Sequence, residues 1–86
     1  MDRLDVISKV IELLQEEFPT LSDMEIKADT ALLSSGLIDS FAMVTVLSLL
    51  ETKFGLSIDV DSLEITLFES PETISRVILD PKYRKV

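Results

Sequence analysis

The sequence predicts an all-α fold, a bundle of three main helices and one short helix. Apolar residues recur at steps of three and four in separate segments, which is helical spacing, and no segment alternates as a strand does. With 86 residues the chain has room for one core, so we expect a single domain over residues 1–86. Hydrophobic residues make up 47% of the chain and there are only two glycines, a composition that favours folding over disorder.

The first helix is predicted over residues 4–18. Pro19 ends it, because the residue before a proline is disfavoured in the helical conformation. The opposite face is acidic, so the pattern favours a core-facing bundle helix over a helix that lies on a membrane. The predicted apolar face consists of Leu4, Ile7, Ile11, Leu14 and Phe18.

Residues 19–39 form an unusually long connection. Loops of this length in a compact domain are usually functional or contain some structure of their own. The acidic residues of the connection lack the spacing and the glycine of a calcium-binding loop, so no metal site is expected. We expect five apolar residues to attach the connection to the core: Leu21, Met24, Ile26, Leu32 and Leu33.

A central helix is predicted over residues 40–54, with a length of about 22 Å from the usual rise per residue. Apolar residues occupy most of its circumference, so we expect it to be the central packing element of the bundle. Gly55 follows directly and suits the left-handed position that ends many helices. The only break in the apolar surface is a narrow stripe that we expect to be exposed: Ala42, Thr45, Ser48, Glu51 and Thr52.

The last third of the chain predicts one short helix and one longer helix. The short helix spans residues 61–68, with Asp61 as its cap and Glu64 three residues later, as in a capping box. Ser70 and Pro71 together predict the start of the last helix, since serine suits the N-cap and proline the first helical position. Residues 82–86 are basic, and we expect them to form a flexible tail.

The start of the central helix has the composition of a functional site. Asp39 suits the N-cap, because its carboxylate can accept from free backbone N–H groups and its charge complements the helix dipole. Ser40 then lies in the first turn with its hydroxyl near solvent, and Gly36 allows the backbone to turn before it. The same residues also occur at capped helix starts that have no function, so the local sequence leaves both interpretations open.

The charge and the missing residue types exclude several functions. The net charge of −8 disfavours binding to nucleic acid and to anionic membranes and favours partners with basic patches. Without Cys or His the chain cannot form disulfides, zinc–thiolate sites or a serine–histidine pair, so a hydrolase is not expected. The N-terminus does not look like a signal peptide and no apolar run is long enough to span a membrane, so we expect a cytoplasmic protein without membrane insertion.

In the order of its elements the chain resembles the acyl carrier protein family, which includes peptidyl and aminoacyl carriers. The resemblance covers nearly the whole chain and rests on the stretch from Gly36 to Ser40, the acidity, the long first loop and the Phe54–Gly55 helix end. It implies an acyl-carrier-like four-helix bundle in which Ser40 receives 4′-phosphopantetheine from coenzyme A through a phosphodiester. The arm would carry an acyl or aminoacyl group as a thioester, and Asp39 would help to position the group in the transferase.

The resemblance also implies a partner surface on the central helix. Leu37 and Phe41 flank the attachment point and match positions that contact partner enzymes, and Glu51 matches an acidic position near the helix end. Ala42 and Thr45 stand where fatty-acid carriers usually have acidic residues. This departure makes the chain more similar to aminoacyl carriers, such as the D-alanyl carriers, and to discrete carriers of polyketide or nonribosomal peptide pathways.

The partners implied by the resemblance are a phosphopantetheinyl transferase, a loading ligase or acyltransferase, and a downstream synthase or transferase. We expect a monomer that is not an enzyme and has no catalytic residues. A chain without Cys or His fits this role, because the attached arm would supply the thiol. The alternative is a small acidic helical adaptor that binds a partner without covalent modification. Modification of Ser40 distinguishes the two.

Overall fold

The computed structural model describes residues 2–85 and confirms the predicted all-α fold. Within these residues there is no β-strand, only an isolated antiparallel bridge between Ile58 and Arg84. The α-helices are α1 (Arg3–Glu17), α2 (Pro19–Ser22), α3 (Ser40–Phe54) and α4 (Pro71–Leu79). Three 3₁₀ turns complete the fold, at Val60–Ser62, Ile65–Phe68 and Pro81–Tyr83.

The core lies mainly between α1 and α4, the most extensively packed pair of helices. The predicted apolar face of α1 is partly wrong, because Leu4 is 70% exposed and Ile11 and Phe18 are only half-buried. Helix α1 has a second set of apolar residues at helical spacing, which overlaps the predicted set. Helix α4 packs against the side of α1 that the two sets share. The buried residues of α1 are Val6, Ile7, Val10, Leu13 and Leu14.

The long connection between α1 and α3 contains the short helix α2 and is attached to the core, as the sequence predicted. Leu21, Ile26 and Leu32 are buried, and Leu33 packs against the core while half-buried. Met24 is the exception, since it remains 38% exposed. The connection therefore has a defined path that leads to the start of α3.

The bounds of α3 match the predicted central helix, but its predicted role as the central packing element is wrong. Only Val46 and Leu50 are buried among its fifteen residues. The reason is that α1 packs most extensively against α4, while α3 touches α1 along a short contact. The other core-facing residues of α3 are only half-buried, and Phe41 and Val44 are exposed.

Residues 60–68 form two 3₁₀ turns and not the predicted short helix. Leu63 has an extended backbone that separates the two turns. The predicted capping box is absent, because Asp59 caps the first turn by accepting from the Asp61 N–H at 3.2 Å, and Glu64 makes no capping bond. Phe68, which ends the second turn, is buried.

The last helix begins as predicted, but the tail after it differs from the prediction. Ser70 and Thr73 form a reciprocal capping box at the start of α4. The expectation of a flexible tail is wrong for residues 82–85: Tyr83 is buried and its carbonyl accepts from the Asp59 N–H at 2.7 Å. The Arg84 guanidinium donates to carbonyls at the end of α4. Residue 86 lies outside the described residues.

Candidate functional site

The start of α3 has the capped geometry that the sequence predicted. Asp39 is in an extended conformation, and its Oδ1 accepts from the Ala42 N–H at 2.8 Å. Its backbone carbonyl accepts from the Met43 N–H at 3.2 Å. Ser40 is the first residue of the helix, and its side chain is exposed. Its hydroxyl makes no hydrogen bond to any described residue, so it is free to react or to bind.

The helix end around Ser40 is suited to a phosphate group. The backbone N–H groups of Ser40 and Phe41 have no partner within residues 2–85, because the Asp39 side chain satisfies only Ala42. Free N–H groups and the positive end of the helix dipole together stabilise negative charge. A phosphodiester on the Ser40 hydroxyl would therefore lie in a favourable electrostatic environment.

The loop before Asp39 sets the direction in which α3 begins. Gly36 has a φ of 81°, a left-handed conformation that costs glycine little. The Ile38 N–H donates to the Leu32 carbonyl at 3.0 Å, and both side chains are buried. The chain therefore turns tightly over the core and presents Asp39 and Ser40 to solvent.

An apolar groove of about 180 Å³ opens beside Ser40, between α3 and the 3₁₀ turns of residues 60–68. Its lining is almost entirely aliphatic and aromatic, with one carboxylate, that of Glu64, and the Ser40 hydroxyl at its side. The groove can therefore receive an apolar group that starts at the helix end. It is lined by Ser40, Met43, Val44, Leu47, Val60, Leu63, Glu64, Ile65 and Phe68.

The protein-family model for the phosphopantetheine attachment site matches residues 8–78, which is most of the chain. The chain belongs to this family. It is a carrier protein of the acyl-carrier type. The domain that defines this family contains the site where 4′-phosphopantetheine is attached covalently. No curated protein matches the chain. The exposed hydroxyl of Ser40 at the start of a helix suits the attachment of this cofactor through its phosphate.

Carrier proteins of this family interact in general with phosphopantetheinyl transferases and with synthases, and the domain is of a non-catalytic family.

Within residues 2–85 there is no group of three or more His, Cys, Asp or Glu side chains that could hold a metal ion. None of the helices in the same part of the chain has the length and apolar composition needed to cross a bilayer.

Exposed apolar side chains concentrate around Ser40. The described part of the carrier exposes six large hydrophobic residues, and four of them lie on α3 or on the segment that faces it across the groove. These are Phe41 at 83%, Val44 at 65%, Val60 at 58% and Ile65 at 54% exposure. Sequence reasoning missed Val44, Val60 and Ile65, because apolar residues in an apolar helix or near a turn are normally assigned to the core.

The residues predicted to contact partners do not share one environment. Phe41 and Thr45 are exposed on α3. Leu37 and Ala42 are half-buried and pack against the core. The Glu51 carboxylate accepts from the Ile58 N–H at 3.0 Å, so it holds the following connection in place. The partner roles of these residues stay predictions, and the structure presents Phe41 and Thr45 most openly.

The charges of the carrier are distributed unevenly around the site. The stretches 28–52 and 54–75, which include the whole lining of the groove and all of α3 except Lys53, contain no Lys or Arg. Their charged residues are all acidic, and Asp39, Asp61 and Glu64 are exposed. The site therefore combines an apolar centre with negative charge at its edge.

Proposed function

We propose that Ser40 is the residue to which 4′-phosphopantetheine is attached and that the carrier holds acyl or aminoacyl cargo as a thioester on this arm. It would deliver the cargo to partner enzymes of a biosynthetic pathway. The observation that carries the proposal is an exposed serine hydroxyl without a hydrogen-bond partner in the described residues, at a capped helix start inside the region that matches the attachment-site family.

In the attachment reaction, Ser40 Oγ forms a bond to the phosphorus of coenzyme A that carries the pantetheine, and the bond from this phosphorus to the adenosine bisphosphate breaks. The hydroxyl proton must go to a base. The carrier has no histidine, and in this proposal the transferase supplies the base. The free N–H groups at the start of α3 stabilise the phosphodiester that results.

Asp39 has two roles in this proposal. Its Oδ1 caps the helix at Ala42, which fixes the backbone that carries Ser40. Its second oxygen makes no hydrogen bond within the described chain and is available to interact with the transferase and its metal ion. The attached arm supplies the thiol that the chain itself lacks.

The neutral residues at Ala42 and Thr45 support carriage of aminoacyl, polyketide or nonribosomal peptide intermediates over fatty-acid synthesis. Partners that depend on several charge contacts with the middle of α3 would find none there, because residues 40–50 contain no charged side chain. The exposed Phe41 and Val44 instead favour partner enzymes that present an apolar surface.

Intact mass spectrometry tests the proposal. The purified protein is incubated with coenzyme A, magnesium and a phosphopantetheinyl transferase of broad specificity. We expect a gain of one phosphopantetheine, and we expect Ser40→Ala to keep its helical circular-dichroism spectrum and to gain nothing. Modification of Ser40→Ala would refute the site. A folded wild-type protein that gains no mass would favour the noncovalent acidic adaptor.

A further inference from the structure

The loop immediately before the attachment residue, residues 31–38, closes on itself; it is called the attachment loop below. The Ile38 N–H donates to the Leu32 carbonyl and the Gly36 N–H to the Leu33 carbonyl, at 3.0 and 3.1 Å. The Ser35 hydroxyl donates to the Ala31 carbonyl. These hydrogen bonds hold the residues of the loop in one conformation, and Asp39 follows it directly.

One residue, Glu69, makes every hydrogen bond that joins the attachment loop to the rest of the described chain. Its carboxylate accepts from the Ser34 hydroxyl at 2.7 Å and from the Ser34 N–H at 3.2 and 3.3 Å. Its backbone carbonyl accepts from the Leu32 N–H at 2.7 Å. A charged acceptor with two donors makes stronger hydrogen bonds than a neutral pair does.

Glu69 is itself held at a fixed point of the fold. It lies between Phe68 and Ser70, which are both buried, and its N–H donates to the Thr66 carbonyl at 3.2 Å. It therefore links the attachment loop to the start of α4, in the best-packed part of the molecule. Thirty-five residues of sequence separate its carboxylate from Ser34.

We propose that Glu69 is a positioning residue for the modification of Ser40: it holds the attachment loop in the conformation that presents Asp39 and Ser40 to the transferase. This rests on the proposed function, since it takes Ser40 as the attachment residue. Among residues 2–85 no hydrogen bond joins Glu69 to Ser40, so Glu69 acts only through the attachment loop. Without its carboxylate the loop retains the single tie through Leu32 and samples other positions.

This role predicts a particular kinetic signature. A transferase that binds only the correctly placed loop sees an apparent affinity reduced by the fraction of molecules in that state. At saturating carrier the enzyme selects the correct state, so the maximal rate is unchanged. A rise in KM without a fall in kcat therefore separates positioning of the loop from participation in the chemistry.

The test measures modification of Glu69→Ala by a broad-specificity transferase with coenzyme A and magnesium. We expect KM for the carrier to rise roughly tenfold, the size associated with losing hydrogen bonds to a charged acceptor, with kcat within about twofold of wild type. Glu69→Gln retains one acceptor oxygen and should give a smaller rise. Glu25→Gln is the matched control, because it removes the same charge from an exposed residue of the connection between α1 and α3 that contains the attachment loop, and it should leave KM unchanged.

Amide hydrogen exchange supplies a readout that does not depend on the transferase. The Ser34 N–H should exchange faster in Glu69→Ala while amides in α1 and α4 keep their protection. Ser34→Ala should raise KM alone and add little in the Glu69→Ala background, because the two residues form one interaction. Should Glu69→Ala fail to fold, Glu69→Gln and Ser34→Ala decide the question.

Two results overturn the inference. One is an unchanged KM in folded Glu69→Ala and Ser34→Ala proteins, while the wild type is modified normally. The other is a fall in kcat at constant KM, which would place Glu69 in the chemistry and not in positioning. An unmodified wild-type protein would instead refute the proposed function itself, and this inference with it.

Discussion

Helices α3 and α4 use apolar residues in opposite ways. α4 has nine residues, of which five are buried, whereas α3 has fifteen, of which two are buried. Yet α3 is the more apolar of the two, with no charged residue between Ser40 and Leu50. Most apolar residues of α3 pack against the core while only half-buried, and Phe41 and Val44 are exposed, so α3 serves both the core and a surface.

This surface has a physical reason to exist beside Ser40. A soluble domain rarely keeps several large apolar side chains exposed together unless they contact something. Any enzyme that reaches the Ser40 hydroxyl must cover the first turn of α3, where Phe41 and Val44 are open to solvent. The contrast between the buried residues of α4 and the exposed residues around Ser40 can be tested by matched substitutions, from the largest expected effect to the smallest.

The largest effect is expected for Ile74→Ala compared with Ile65→Ala. Ile74 in α4 is fully buried, and its truncation should lower the free energy of unfolding by about 2–5 kcal/mol. Ile65 is 54% exposed at the groove, and its truncation should cost about 1 kcal/mol or less. Urea denaturation of both variants measures the difference. Equal losses would show that the groove side belongs to the core.

The next effect concerns the ends of the two helices. Arg84→Ala should lower the free energy of unfolding by about 2 kcal/mol, because its guanidinium bonds to the Val77 and Ile78 carbonyls at the end of α4. Gly55→Ala should cost about 1 kcal/mol, from its φ of 65° alone, since the added methyl meets no atom within 4 Å. Thermal unfolding compares them. If Arg84→Ala leaves the stability unchanged, the result would support the flexible tail that the sequence predicted.

A binding effect of similar size is expected for Phe41→Ala. Its truncation should raise the KM of the transferase about tenfold, typical of a central interface residue, with little loss of stability because the side chain is 83% exposed. Leu4→Ala is the matched control, since Leu4 is 70% exposed on α1 and does not line the groove. If both variants behave as wild type, the open face of α3 is not where the transferase binds.

The smallest effect compares the two N-caps. Asp39→Ala and Ser70→Ala should each cost about 1 kcal/mol, because each removes an acceptor from the first turn of its helix. Only Asp39→Ala should also slow modification of Ser40. Chemical denaturation and mass spectrometry on the same samples separate the two effects. A normal modification rate in Asp39→Ala would leave that residue with the capping role alone.

Sequence reasoning succeeded where the cause of a structure lies within a few residues. The Asp39 cap, the turn at Gly36 and the bounds of α3 all depend on hydrogen bonds or backbone conformations of near neighbours. It failed for the buried side of α1 and for the two turns of residues 60–68. In both cases the local sequence is compatible with several arrangements. Packing against residues that are distant in the sequence selects one of them.

The candidate site divides in the same way. Asp39 and Ser40 were predicted together from their order in the sequence, and the structure places them at the start of α3 as expected. No local sequence pattern predicted the groove beside Ser40 or the hydrogen bonds between Glu69 and Ser34. Each of them joins segments that lie far apart in the chain.

The sequence by itself determined where α3 begins and ends, since a carboxylate before the helix and a glycine after it act directly on the adjoining backbone. It also determined that the chain forms helices around one core. Only the tertiary structure decided that α4 would be buried more completely than α3, and that Arg84 would cap a helix from beyond its end. The physical reason is competition: apolar helices share a limited interior, and the pair that packs most extensively leaves less of it to the third.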